Sequence, residues 1–219
     1  MLNLTGHRAQ VRDLALLSNH NLASSSYDET IIIWNTKSEK ILKILQGHKD
    51  DTRDIELISP DTLASGSSDK TIRLWNLTSG ICMKTISQDN EYITCILFLN
   101  NSQLLASGEL DYNIRIWDLE KSQLVIILEG HEDRIQALLN LKKDHLASSS
   151  WDASIKIWNY QSGQLLQTLR GHLSSVNGLI LLSNGNLASS SWDKTVRIWN
   201  LPAIFNYPYR ANLVPSVDD

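Results

Sequence analysis

Short runs in which apolar and polar residues alternate recur along this chain. In Thr71-Ile72-Arg73-Leu74-Trp75 the apolar positions fall on every second residue, and residues 53–58 alternate in the same way from Ile55. A period of two marks a strand with one face buried. Between these runs stand Thr62-Leu63-Ala64-Ser65-Gly66, a strand of small residues, and two turns, Ser59-Pro60-Asp61 and Ser68-Asp69-Lys70. Pro fixes φ in the first turn, and Asp can bond its own backbone in both. Leu77-Thr78-Ser79-Gly80 turns the chain again into a fourth strand over residues 81–86. Residues 47–86 therefore predict an antiparallel meander with no room for a helix. The β-branched runs Thr30-Ile31-Ile32-Ile33 and Thr195-Val196-Arg197-Ile198 favour strand in the same way.

The pattern repeats. Residues 22–35 return as 63–76, 105–118, 146–159 and 187–200, with steps of 41, 42, 41 and 41, and the Asp always lies six residues before the Trp. A fixed period in this range signals a repeat architecture. One four-stranded sheet of this size cannot bury both faces alone, so successive copies must stack around an axis as a β-propeller. The expected fold is all-β: five four-stranded antiparallel blades, approximately 5–45, 46–86, 87–128, 129–169 and 170–200. They form one array over 1–200, followed by a non-repeat tail at 201–219.

These residues also carry a resemblance. In four copies Gly-His is followed 21 residues later by Asp and 27 residues later by Trp, and Trp117-Asp118 supplies the Trp-Asp dipeptide. The chain resembles WD-repeat β-propellers. That resemblance implies a buried hydrogen-bond network in each blade: His7-Ser24-Asp28-Trp34, His48-Ser65-Asp69-Trp75, His131-Ser148-Asp152-Trp158 and His172-Ser189-Asp193-Trp199. The Ser hydroxyl accepts the indole N–H and donates to the His, while the Asp ties the loop to the turn. The third copy departs, with Gln88-Asp89 for Gly-His, Asn100-Asn101 where the loop gains a residue, and Glu109 for a Ser. It keeps Ser107, Asp111 and Trp117. Repulsion between Asp89 and Asp111 is expected to open that network and loosen the blade.

Four sets of His, Ser and Asp look like hydrolase triads. A catalytic site is one asymmetric constellation, whereas this one recurs at every repeat, so the structural reading is preferred and catalytic residues are set at none. A hydrolase using one His/Ser/Asp group is the alternative, and a fragment of a larger WD-repeat protein without autonomous function is a third reading. There is no Gly-rich phosphate loop and no His/Cys zinc spacing, so neither cofactor nor metal is expected. His20 and His145 read as exposed loop residues.

The positions that change between copies hold the functional expectation. The residue before the turn Asp is Tyr27, Ser68, Leu110, Trp151 or Trp192. Exposed aromatics at turns are favoured anchors of binding surfaces. The resemblance places this position on the top face around the central channel, beside those three and five residues after the loop His. These last are Gln10 and Arg12, Asp51 and Arg53, Tyr92 and Thr94, Arg134 and Gln136, and Ser175 and Asn177. The candidate partner-binding set is Tyr27, Arg12, Arg53, Tyr92, Leu110, Arg134, Gln136, Trp151, Asn177 and Trp192, with Trp151, Trp192 and Arg134 as its sharpest patch. The mixture suits a protein or peptide partner, so the expected function is a non-catalytic interaction scaffold or adaptor. Lys37, Thr78, Glu120, Gln161 and Pro202 stand where some ubiquitin-ligase propellers carry docking arginines, which gives that role little support. Nothing in the sequence gathers the aromatics into a methyl-lysine cage.

Charge and composition narrow the partner. The net charge is −4, from 20 basic and 24 acidic residues with no basic cluster, which argues against nucleic acid. No apolar run reaches the roughly 18 residues of a membrane helix. The start lacks the regions of a signal peptide, and the two cysteines, Cys82 and Cys95, fit an intracellular chain, with the cytoplasm favoured over the nucleus. Two sequons, Asn3-Leu4-Thr5 and Asn76-Leu77-Thr78, read as chance. Five copies are fewer than the family's usual seven. Met1-Leu2-Asn3-Leu4 resembles the end of a fourth strand that would close the last blade, but its shortness favours a partial array, and an open array is expected to self-associate.

Overall fold

A computed structural model describes residues 3–18, 20–87, 91–99, 103–141 and 143–202. All regular structure among them is β. Blade one comprises β1 (Val11–Leu16), β2 (Leu22–Ser26), β3 (Ile31–Asn35) and β4 (Lys40–Leu45), and blade two β5 (Thr52–Ser59), β6 (Thr62–Ser67), β7 (Thr71–Asn76) and β8 (Cys82–Ser87). Blade three runs through β9 (Ile93–Leu99), β10 (Leu104–Glu109), β11 (Ile114–Asp118) and β12 (Gln123–Leu128), and blade four through β13 (Ile135–Asn140), β14 (His145–Ser150), β15 (Ser154–Asn159) and β16 (Gln164–Arg170). Blade five has β17 (Val176–Leu181), β18 (Leu187–Ser191) and β19 (Val196–Trp199). Each sheet is an antiparallel meander in chain order, four of them four-stranded and the last three-stranded.

One joint holds the blades together. The alternating apolar pair of a third strand packs on the next blade, as Ile31 and Ile33 pack with Ile55, Leu63 and Trp75. Ile72 and Leu74 meet Ile96, Leu105 and Trp117, and Ile114 and Ile116 meet Leu146 and Trp158. Ile155 and Ile157 cover Leu187 with Leu179 and Trp199. These paired aliphatics are at most 8% exposed, so each contributes the roughly 1.5–3 kcal/mol of a fully buried side chain. At the ends the joint is uncovered: Val196 is 71% and Ile198 64% exposed, and Leu14 is 59% exposed where Ile55 is 4%. Among the described residues the sheets form an incomplete ring. Asn3 and Leu4 form no strand, while Met1, Leu2 and the tail from residue 203 lie outside the described residues.

One expectation changes. His145 is not an exposed loop residue but the half-buried first residue of β14, because the strand begins where the turn was expected to continue. His20 is exposed, with φ 62°. Both cysteines are free, Cys82 half-buried and Cys95 buried.

Candidate functional site

Two polar systems are built on this frame. The first is the four-residue network. In blade four His131 Nδ1–H donates to the Asp152 carboxylate at 2.7 Å, which leaves Nε2 to accept the Ser148 hydroxyl at 2.7 Å. Ser148 Oγ in turn accepts the Trp158 indole N–H at 2.8 Å. Blades one, two and five repeat the arrangement, with His–Asp contacts of 2.7–2.9 Å and His–Ser contacts of 2.7–2.8 Å. Each Asp also accepts the backbone N–H just after the His, as Asp28 does from Arg8 at 2.8 Å, and a hydroxyl two residues on, as from Thr30 at 2.6 Å. Burial works against ionised Asp28, but Thr30, the Arg8 N–H and His7 outweigh it and hold its pKa at about 2. Similar bonds hold Asp69, Asp152 and Asp193 well below the usual carboxylate range.

The glycine of the Gly-His pair is dictated by this packing. At Gly130, with φ 147°, a Cβ would come within 3.3 Å of the Trp158 ring. In blades one to four the register between third and fourth strands also slips at the third-strand Trp, as between Ile157 and Trp158, a bulge that re-aims the side chain.

Blade three ties its Trp and Ser by a different route, and the expected repulsion between Asp89 and Asp111 falls on a residue outside the described ones. Ser107 Oγ accepts the Trp117 N–H at 2.9 Å and donates to Glu109 at 2.9 Å. Arg115 then pairs with Glu109 and, at 2.7 Å, with Asp111. The guanidinium lies between the two carboxylates, so their repulsion is offset. Asp89 and Asn100-Asn101 lie outside the described residues.

The second system occupies the mouth of the channel. In all five blades the main chain joins the two variable positions: Trp151 N–H donates to Arg134 C=O at 3.1 Å, Trp192 to Ser175 at 3.0 Å, and Tyr27, Ser68 and Leu110 likewise to Gln10, Asp51 and Tyr92. The first strand of every blade then slips register against the second near its start, at Arg12, Arg53, Thr94, Gln136 or Asn177. A bulged residue is turned out of the ladder. These five line one cavity of about 290 Å³, to which every blade contributes. Tyr27, Arg134, Trp151 and Trp192 complete it, and no acidic residue lines it.

Its aromatics and arginines are interleaved. The Arg134 guanidinium lies 3.3 Å over the Trp151 ring, and Arg12 and Arg53 stand 5.1 and 5.5 Å from the Tyr27 centroid. Trp151 and Trp192 have centroids 5.0 Å apart, and Trp192 is 60% exposed. Trp151 N–H donates to Gln136 at 3.1 Å, and Arg53 Nε–H to Ser68 Oγ at 2.6 Å. Burial, and next the charge of Arg53, push the Arg134 guanidinium below its ordinary pKa. Eight of the ten expected partner-binding residues are thus brought together. Tyr92 and Leu110 are not; Tyr92 stands outside with Lys70 Nζ 5.9 Å from its ring centroid. Thr94 takes a place that its small hydroxyl gave no reason to single out. Among the described residues no group of His, Cys, Asp or Glu is placed to hold a metal ion, and no helix is long and apolar enough to cross a membrane.

The sequence profile of the family described as WD domain, G-beta repeat matches residues 1–35, 39–76, 80–118, 122–159 and 163–200. From the second unit on, each match spans the fourth strand of one blade and the first three of the next. No curated protein sequence matches the chain as a relative.

Proposed function

The chain belongs to the WD domain, G-beta repeat family, and from that premise we propose that it is a non-catalytic scaffold that grips a protein or peptide partner at the channel mouth. WD repeats generally mediate protein–protein interaction. The observation that carries the assignment here is a cavity to which all five blades contribute, with Trp151 against Trp192 in its lining. Large aromatics and arginines in a partly desolvated pocket are the residues that dominate binding energy at interfaces. Trp151→Ala and Trp192→Ala are expected to lose the partners that the unaltered chain captures from cell extract. Undiminished capture by folded variants would remove the channel mouth as the docking face.

The hydrolase alternative has less support. His, Ser and Asp have triad-like distances, but the four Ser side chains are at most 3% exposed and each oxygen already accepts an indole N–H. A substrate carbonyl has no path to such an oxygen. Hydrolase activity abolished by His131→Ala at unchanged stability would overturn this reading.

Self-association is also proposed, because the uncovered Val196 and Ile198 and the uncovered Leu14 are the two halves of the joint used between every pair of blades. Head-to-tail association should appear as a concentration-dependent mass in sedimentation and disappear with Val196→Glu/Ile198→Glu. A mass equal to one chain at all concentrations would contradict it.

A further inference from the structure

The channel mouth gathers three guanidinium groups and no carboxylate. Two counter-charges stand nearby and outside the cavity lining: Asp51, 3.6 Å from Arg53, and Asp133, whose charge acts on Arg134. Among the described residues no carboxylate forms an ion pair with Arg12 or Arg134. Arg134 Nε is buried and has no hydrogen-bond partner there. Like charges drawn together around a buried donor without a partner cost stability, so this arrangement favours a compensating anion from outside. The geometry suits one. Stacking on Trp151 fixes the guanidinium plane of Arg134 and leaves its N–H edge for the paired oxygens of a carboxylate or phosphate. The cavity, about 290 Å³, is at the small end for a ligand site and holds one side chain rather than a cofactor.

We propose that this pocket receives an oxyanion, a carboxylate or phosphate, carried on a side chain of an extended peptide partner, with Arg134 as its main ligand and Arg12 and Arg53 supporting the charge. The proposal rests on the reading that partners dock at the channel mouth. Carboxylate and phosphate share the recognition chemistry, so the probes must separate them.

The experiment follows the Arg134 Nε–H and Trp151 indole N–H resonances of the full chain by nuclear magnetic resonance. The probes are inorganic phosphate, capped phosphoserine, capped glutamate and capped glutamine. Phosphate and at least one anionic amino acid should move both resonances saturably, while glutamine leaves them in place. The tighter of the two amino acids identifies the anion's source. Affinity should fall by at least about tenfold in Arg53→Gln, and be lost in Arg134→Gln, read on Trp151. It should also weaken as salt rises from about 50 to 500 mM. Equal shifts with glutamine, or none with any anion, would overturn the anion pocket. Neither result alters what partner capture by Trp151→Ala and Trp192→Ala reports, so failure here and failure of the docking face are distinguishable.

Discussion

His131 and Arg134 are three residues apart at the start of blade four, and their surroundings are opposite. The imidazole is buried with both nitrogens satisfied, between Asp152 and Ser148. The guanidinium is partly buried with Nε unpaired and two more arginines around the same cavity. A satisfied network repeated in four blades is what a structural strut requires. A group left short of partners, at a place where the blades differ, is what a binding site requires. Chemical reactivity alone would rank the two the other way, because His, Ser and Asp look more like machinery than an arginine on a tryptophan.

Blade three gives the comparison its most severe test, since its strut is built on a buried guanidinium held by two carboxylates. If Glu109, Arg115 and Asp111 form a strut, removing Glu109 leaves the buried guanidinium with Asp111 alone and the Ser107 hydroxyl without its acceptor. Glu109→Ala is therefore expected to cost about 3–5 kcal/mol in urea unfolding. His131→Ala removes an uncharged imidazole from its place between Asp152 and Ser148 and should cost about 1–3 kcal/mol. Acid should weaken the struts as well. Asp28 has its pKa near 2 folded against 3.8 ordinarily, so the unfolded chain takes up the proton first and stability falls as pH drops from about 4 to 2. The Asp28→Asn variant should have a shallower fall in urea midpoint over that window. Glu56, whose pKa burial raises to about 7, titrates with opposite sign between 4.5 and 7 and leaves the lower window clear. The smallest effect belongs to the site: Arg134→Gln relieves repulsion and should leave stability unchanged or raise it by up to about 1 kcal/mol.

The struts were legible because the same four residue types return at the same offsets, and a fixed offset across a hairpin places them together in every copy. The aromatic turn positions were legible as interruptions of that regularity. The Glu109–Arg115 pair was not, because it crosses from β10 to β11 and appears in one copy only. Nor were the bulges that turn Arg12, Arg53, Thr94, Gln136 and Asn177 into one cavity: an apolar–polar alternation does not say which residue of a strand is left out of the ladder. His145 was misplaced for a related reason, since a half-buried strand end and an exposed turn have the same local composition.

The most direct test of the contrast is the unfolding free energy of His131→Ala and Arg134→Gln, measured side by side in urea at neutral pH. The account predicts a loss of about 1–3 kcal/mol for the histidine variant and no loss for the arginine variant. An Arg134→Gln chain destabilised as much as His131→Ala would make the arginine another strut and contradict its assignment to the binding site.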